Sequence, residues 1–238
     1  LSAFISAMLS IFSLMNPLEK FVTFIIRIIL KIICKVEIDK PESIPQEGPL
    51  LFVFNHINFL EVPLIYLLLQ PRNVVAMVKK ENWDNWFYRI LANAWGGIPV
   101  DREKPKVSTF REIEKAIKNN SIICIAPEGT RSETGVLGKG HLGAVFLALH
   151  YQIPILLMAH YGSEKFWYNF KRFKRTLVTF KIGTPFMLVG NSKIDKNLQQ
   201  EMNEQIMTRI ASMLPEPYRG TYKNLDIISE KYIKYLTE

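Results

Sequence analysis

An α/β fold with a largely parallel central sheet flanked by helices, preceded by an N-terminal two-helix element that docks on a membrane, is what this sequence predicts. Three observations carry that expectation. Apolar runs of five or six residues, Leu50–Phe54, Val74–Val78, Ser121–Ala126 and Pro154–Ala159, read as strands buried on both faces, the habit of parallel sheets. Between them lie segments of helical periodicity, best seen in Val107, Phe110, Ile113, Ala116 and Ile117. The first 15 residues carry no charge, although the chain as a whole has a net charge of +8. At 238 residues the chain holds one substantial domain, placed at 35–238, behind an anchor at 1–34.

The anchor is read from its charges. As a helix, residues 1–15 would cover about 22 Å, short of the roughly 30 Å hydrocarbon core of a bilayer. Asn16-Pro17-Leu18-Glu19 then restarts a helix, with an N-cap, proline at the first helical position and an acidic residue three after the cap. That helix, Leu18 to Cys34, is almost entirely apolar after Glu19 apart from Lys20, Arg27 and Lys31. A mid-helix arginine costs roughly 2.5–3.5 kcal/mol at the bilayer centre, so the helix is expected to lie in the interface with its cationic face toward anionic headgroups. A helical pair packed on the domain's own core is the alternative.

From Lys35 the texture changes. Val36-Glu37-Ile38 alternates like a short edge strand, and Pro41 to Pro49 is a polar loop feeding the buried run Leu50–Phe54. That run ends in Asn55-His56-Ile57-Asn58-Phe59-Leu60-Glu61-Val62-Pro63, where Pro63 suits the first turn of a helix. His56 and Glu61 are five apart, about 140° around a regular helix, so they meet only if His56 lies in the turn and Glu61 at the helix start. An imidazole oriented through Nδ1–H by a carboxylate is a general base near neutral pH. No Gly-x-Ser-x-Gly elbow occurs and neither Cys34 nor Cys124 sits in a nucleophile's context, so such a base would act on a substrate hydroxyl. From this segment alone, a histidine and a glutamate on an ordinary surface loop is an equally open reading.

Further along, Trp83 to Leu91 is a helix dense in aromatics, suited to core packing or to the side of an acyl-chain tunnel. Gly97-Ile98-Pro99-Val100-Asp101-Arg102 is a short strand ending in an arginine, at the sheet edge where ligands of open α/β folds gather. A helix over Val107–Asn119 and the strand Ser121–Ala126 deliver Pro127-Glu128-Gly129-Thr130-Arg131-Ser132 to the rim that holds His56. Gly138-Lys139-Gly140 precedes an apolar helix reaching Leu149, and Lys139 is a further phosphate candidate. Residues 163–181 interleave Lys165, Lys171, Arg172, Lys174, Arg175 and Lys181 with Phe166, Trp167, Tyr168, Phe170 and Phe173. They read either as a second membrane contact or as a β-hairpin with a solvated cationic face. Two helices, near Lys196–Leu214 and Leu225–Leu236, close the chain.

The positive charge attracts anionic partners, and the apolar N-terminus beside it favours a membrane surface over nucleic acid, for which no recognition signature is present. Two cysteines argue for a reducing compartment and against a disulfide framework. The four histidines, His56, His141, His150 and His160, have no spacing that suggests a metal, and no cofactor is expected.

Four segments taken together, Asn55-His56-x4-Glu61, Gly97–Arg102, Pro127–Ser132 and Ile153-Pro154-Ile155, resemble in order and spacing the motif blocks of the glycerolipid acyltransferases, and specifically the bacterial 1-acyl-glycerol-3-phosphate acyltransferase family. The resemblance covers roughly residues 35–185. It implies His56 and Glu61 as the catalytic pair, Arg102 as a phosphate ligand, and Glu128, Gly129, Thr130 and Arg131 around the glycerol phosphate. The Ile153–Ile155 block would line the acyl pocket. Also implied are an acyl-ACP or acyl-CoA donor, lysophosphatidic acid as acceptor, phosphatidic acid as product and the cytoplasmic face of the membrane as the place of work. One departure stands out: the family's first motif usually ends in Asp, whereas position 61 is Glu, one methylene longer.

Overall fold

The computed structural model describes residues 17–86, 89–90, 92, 95–101, 106–132, 134–190 and 193–236. The first half of the expected anchor, residues 1–16, lies outside them, as do Arg102 and parts of the aromatic segment 83–91. In chain order the main elements are α1 (Pro17–Ile33), β1 (Cys34–Asp39), β2 (Leu50–Phe54), α2 (Glu61–Leu68), β3 (Val74–Lys79), β4 (Ile98–Val100), α3 (Val107–Lys118), β5 (Ile122–Ile125), α4 (Gly143–Tyr151), β6 (Ile155–Tyr161), α5 (Phe166–Phe170), β7 (Thr176–Ile182), β8 (Phe186–Leu188), α6 (Lys196–Met213) and β9 (Ile233–Tyr235).

The strands form one sheet in the order β1-β7-β6-β2-β5-β3-β4, with β8 beside β6 and β9 beside β8. Pairing is parallel from β6 through β2, β5 and β3 to β4, and again between β1 and β7. The antiparallel pairs are β6–β7, β6–β8 and β8–β9. Because β2, β3, β5 and β6 run the same way, their carboxyl ends share one rim, where connecting loops can converge on a ligand.

Alternation along the buried strands sorts side chains into two layers. Leu51, Val53, Ile123, Ile155, Leu157 and Ala159 face α3, α4 and α6, while Leu50, Phe52, Phe54, Ile122, Cys124, Leu156 and Met158 face α1 and α2. Helices on both faces explain why these strands are apolar without interruption.

Two expectations change. Residues 225–236 contain no helix; β9 pairs antiparallel with β8, through Phe186–Tyr235 and Leu188–Ile233, because this tail lies beside a sheet edge that needs hydrogen-bond partners. Residues 163–181 are not a hairpin: a turn and α5 lead into β7, which is parallel to β1. The helix α1 does pack on the domain, through buried Leu30 and through Thr23, whose Oγ1 accepts from Trp95 Nε1 at 3.3 Å. Its other face, with Phe21, Phe24, Ile28 and Ile32, is exposed. Among the described residues no helix is long and apolar enough to cross a membrane.

Candidate active site

The rim is organised where β2 ends. Asn55 follows the last ladder residue and continues the pairing with its side chain: Nδ2 donates to the His160 carbonyl at 2.9 Å and Oδ1 accepts from the His160 N–H at 2.8 Å. The backbone is thereby released to turn. The His56 N–H donates to Glu128 Oε1 at 2.6 Å, and its carbonyl accepts from the Ser132 N–H at 2.7 Å. Glu128 spends its second oxygen on the Gly138 N–H, also at 2.6 Å. This buried carboxylate therefore ties the β2–α2 loop to both ends of the β5–α4 loop. Asn58 closes the turn by accepting from the Leu60 N–H at 2.9 Å, and Glu61 begins α2.

The turn brings His56 Nδ1 into hydrogen-bonding contact with Glu61 Oε1. Glu61 Oε2 accepts from the N–H groups of Ile57 at 2.7 Å and Asn58 at 3.2 Å, and lies 3.0 Å from His160 Nε2. Those donors, with the first turn of α2, make a fully buried carboxylate tolerable. The His56 side chain is 17 % exposed. A carboxylate on Nδ1 selects the tautomer whose Nε2 carries a lone pair, so the pair can accept a proton from a hydroxyl placed against it.

His56 lines a cavity of about 670 Å³ with Lys79, Thr130, Arg131 and His141 at its polar end and Phe110, Ile113 and Phe146 beneath. Next to it, under α1 and α2, a second cavity of about 450 Å³ is walled almost wholly by carbon: Val22, Ile26 and Ile29 of α1, Tyr66 of α2, Val74 of β3 and Trp95. Arg131, Phe54, Cys124 and Val78 border both. Glu128 and Gly129 also line the larger cavity, and Gly129 has φ +68°, a conformation glycine adopts without strain. Lys139 is exposed and lines neither cavity. Gly140 beside it is pinned by Asn203 Nδ2, and a Cβ there would come within 2.6 Å of Met207. Ile155–Ala159 lines neither cavity, because it is a strand enclosed between β2 and β7.

Lys79, His141 and His160 were not put forward by the sequence. Strand parity held a signal for the last: His160 is two residues beyond Met158, on the face that Phe54 shares, and it interrupts an apolar buried run.

The thiols are poor nucleophiles. Burial pushes Cys124 far up and Cys34 to about 11, so both stay protonated at neutral pH. Among the described residues no group of three or more histidine, cysteine or acidic side chains could hold a metal.

Burial depresses the His160 imidazole to about 4, against the upward pulls of the Asn55 carbonyl, Glu128 and Glu164. An unfolded chain, with histidine near 6.5, binds a proton between these values that the folded chain refuses. His160 therefore makes stability fall as pH drops from 6.5 toward 4, and contributes no slope above that window. Urea-unfolding midpoints at pH 7.5 and 4.5 should differ less in His160→Gln than in wild type; equal losses would refute this assignment.

The family model described as Acyltransferase matches residues 35–160. The 1-acyl-sn-glycerol-3-phosphate acyltransferase of Bacillus subtilis is 28% identical over 166 residues, 70% of this chain and 81% of that protein. A protein of the same name from Haemophilus influenzae is 27% identical over 190 residues, 78% of each chain. The crystal structure of the 1-acyl-sn-glycerophosphate acyltransferase PlsC from Thermotoga maritima superposes with a TM-score of 0.56 at 21% identity, covering 87% of this chain and 86% of that one, and shares the fold.

Proposed function

The chain belongs to the acyltransferase family, and from that premise we propose that it moves a fatty acyl group from a thioester donor, acyl-ACP or acyl-CoA, to the free hydroxyl of 1-acyl-glycerol-3-phosphate. The product is phosphatidic acid for phospholipid biosynthesis. One observation carries the reading: an oriented imidazole opens into a polar-ended cavity while Arg131 stands between that cavity and a carbon-lined one. A phosphate, a hydroxyl and a long hydrocarbon are the three things such a place can hold together.

In this reading His56 Nε2 takes the proton of the acceptor hydroxyl as its oxygen attacks the thioester carbonyl. The new C–O bond forms, the C–S bond breaks, and the departing thiolate receives the proton from His56. Arg131 holds the acceptor phosphate as a planar, always-charged donor, which supplies the proximity that makes the hydroxyl reactive. Arg102 and Lys139 remain candidates for the same anion. Glu128, by gripping the His56 and Gly138 amides, keeps the loop that carries Gly129 and Thr130 in register with His56.

The test is product analysis by mass spectrometry with acyl-ACP or acyl-CoA, in the presence and absence of lysophosphatidic acid. Acceptor-dependent phosphatidic acid supports the reading; free fatty acid released regardless of acceptor would make the protein a thioesterase.

The carbon-lined cavity suits the acyl chain. It follows β3 from Val78 near the rim to Val74, about 13 Å at strand spacing. Val74→Phe closes its far end, so the ratio of turnover on long-chain to short-chain thioesters should fall roughly tenfold or more. An unchanged ratio would place the chain elsewhere.

Two surfaces fit the cytoplasmic face of an anionic membrane. One is the exposed face of α1; the other is α5 and the turn after it, with Trp167, Tyr168, Phe170 and Phe173 exposed beside Lys171, Arg172 and Lys174. They are neighbours, since Arg175 Nε donates at 3.0 Å to the Cys34 carbonyl where α1 ends. Each basic group near such a leaflet contributes about 1 kcal/mol, so reversing Lys171, Arg172 and Lys174 to Glu should weaken binding to phosphatidylglycerol vesicles by roughly 100-fold or more. Flotation unaffected by the reversals would turn this patch to water.

A further inference from the structure

Glu61 has two oxygens, and only one of them meets His56. The other lies 3.0 Å from Nε2 of His160, on β6, a residue 99 positions away in sequence. The same nitrogen is 2.7 Å from the Asn55 carbonyl oxygen. A nitrogen facing two acceptors must carry its proton, so the geometry selects the Nε2–H tautomer. The opposite nitrogen, Nδ1, is buried without a hydrogen-bond partner, and a second proton there would have nowhere to donate. The carboxylates that face this imidazole, Glu61, Glu128 and Glu164, come from three separate segments.

His160 is also held in place from behind. Its backbone is clasped at both polar atoms by the Asn55 side chain, and its ring packs 5.7 Å from that of Phe180 on β7. Phe52, Phe54 and Met158 belong to the same buried layer. An apolar ring would fill that space without leaving an orphaned nitrogen, so packing does not account for an imidazole here.

We propose that His160 is a positioning residue: its Nε2–H holds Glu61 Oε2, and so fixes the carboxylate that orients His56. The claim rests on the reading of His56 as the proton acceptor. The ring ties the start of α2 to the end of β6 across β2, so the direction in which His56 Nε2 faces is set by the rigid sheet and not by the loop alone. Without the donor at Oε2 the carboxylate keeps two backbone amides, can rotate about them, and no longer holds His56 in one direction.

The experiment pairs His160→Phe, a ring of similar shape without a donor, with His160→Gln, whose amide can donate from about the same place. In the phosphatidic acid assay His160→Phe should lower kcat roughly 10- to 100-fold, the range typical of groups that orient a directly acting residue, with KM for the acceptor within about twofold. His160→Gln should recover most of the loss, and the unfolding midpoint of His160→Phe at pH 7.5 should not fall. Wild-type kcat in His160→Phe, equal losses in both variants, or a change confined to KM would each overturn the proposal. Ring nitrogen shifts in ¹⁵N-labelled wild type decide the matter even if a variant fails to fold: His160 must be neutral and protonated at Nε2 at pH 7.5, and an Nδ1–H tautomer overturns it. A wild type that makes no phosphatidic acid refutes the functional reading and leaves this spectroscopic result standing or falling by itself.

Discussion

His56→Ala should all but abolish acyl transfer, lowering kcat by roughly 10²–10⁴-fold, the contribution of a positioned general base, because the hydroxyl then has no group to take its proton. The variant should still fold. What holds residue 56 in place is its backbone, donating to Glu128 and accepting from Ser132, and alanine keeps both bonds. Binding to anionic vesicles should also persist, since the exposed faces of α1 and α5 do not involve the imidazole. Thiol release from the donor, followed at saturating acceptor, measures the effect. Turnover within about tenfold of wild type would mean that the proton goes elsewhere and that the base assignment is wrong.

Glu61→Gln should be nearly as damaging although it is close to isosteric. Oε2 of Glu61 sits among three nitrogen neighbours, the Ile57 and Asn58 amides and His160 Nε2. A glutamine must point its carbonyl oxygen there, which turns its NH₂ toward His56 Nδ1. That nitrogen then has to accept, the proton moves to Nε2, and the atom needed as base becomes a donor. The analogous swap in a Ser-His-Asp triad costs about 10⁴ in kcat, and a loss of roughly 10³–10⁴ is expected here. Glu61→Asp is the informative companion. It retains charge and lone pairs and shortens the arm by one methylene, so it should lose less than Gln. If Gln kept near-normal kcat, the tautomer argument would fail.

Much of the fold was legible because buried parallel strands announce themselves. Leu50–Phe54 and Ile155–Ala159 are apolar at every position, and each sits within a strand covered by helices on both faces. The helix expected over Val107–Asn119 is α3, which ends at Lys118 and is followed by Asn120 at φ +52°, a left-handed stop that asparagine tolerates. The tail was misread: 225–236 has enough apolar spacing to pass for a helix, but its partner β8 lies some 45 residues back, and local periodicity carries no record of that pairing. The Ile153–Ile155 block was misplaced for a related reason. Its apolar side chains suit the wall of a hydrocarbon pocket and the inside of a sheet equally well, and only the register against Leu51–Phe54 distinguishes them.

At the rim the division is sharper. For His56 and Glu61 the five-residue interval, an apolar strand before it and a proline after it allowed a meeting in the turn but left an ordinary surface loop equally open, and the four motif blocks together chose the pair. The cationic, aromatic segment 163–181 could be found but not oriented until α5 and the turn after it showed Trp167, Tyr168 and Phe173 facing outward. His160 carried only the cue of a polar ring interrupting an apolar strand, with nothing to name its acidic partner nearly a hundred residues away. The sequence by itself determined the layered α/β class, which depends on patterns within a few residues, and singled out the imidazole–carboxylate pair once its four motif blocks were taken together. The tertiary structure decided which side of the sheet carries the hydrocarbon cavity, that Glu128 binds amides of its own chain, and that a second imidazole backs Glu61. Those are contacts between strands and loops distant in the chain, where the sheet register brings side chains together and no periodicity along the sequence encodes their distance.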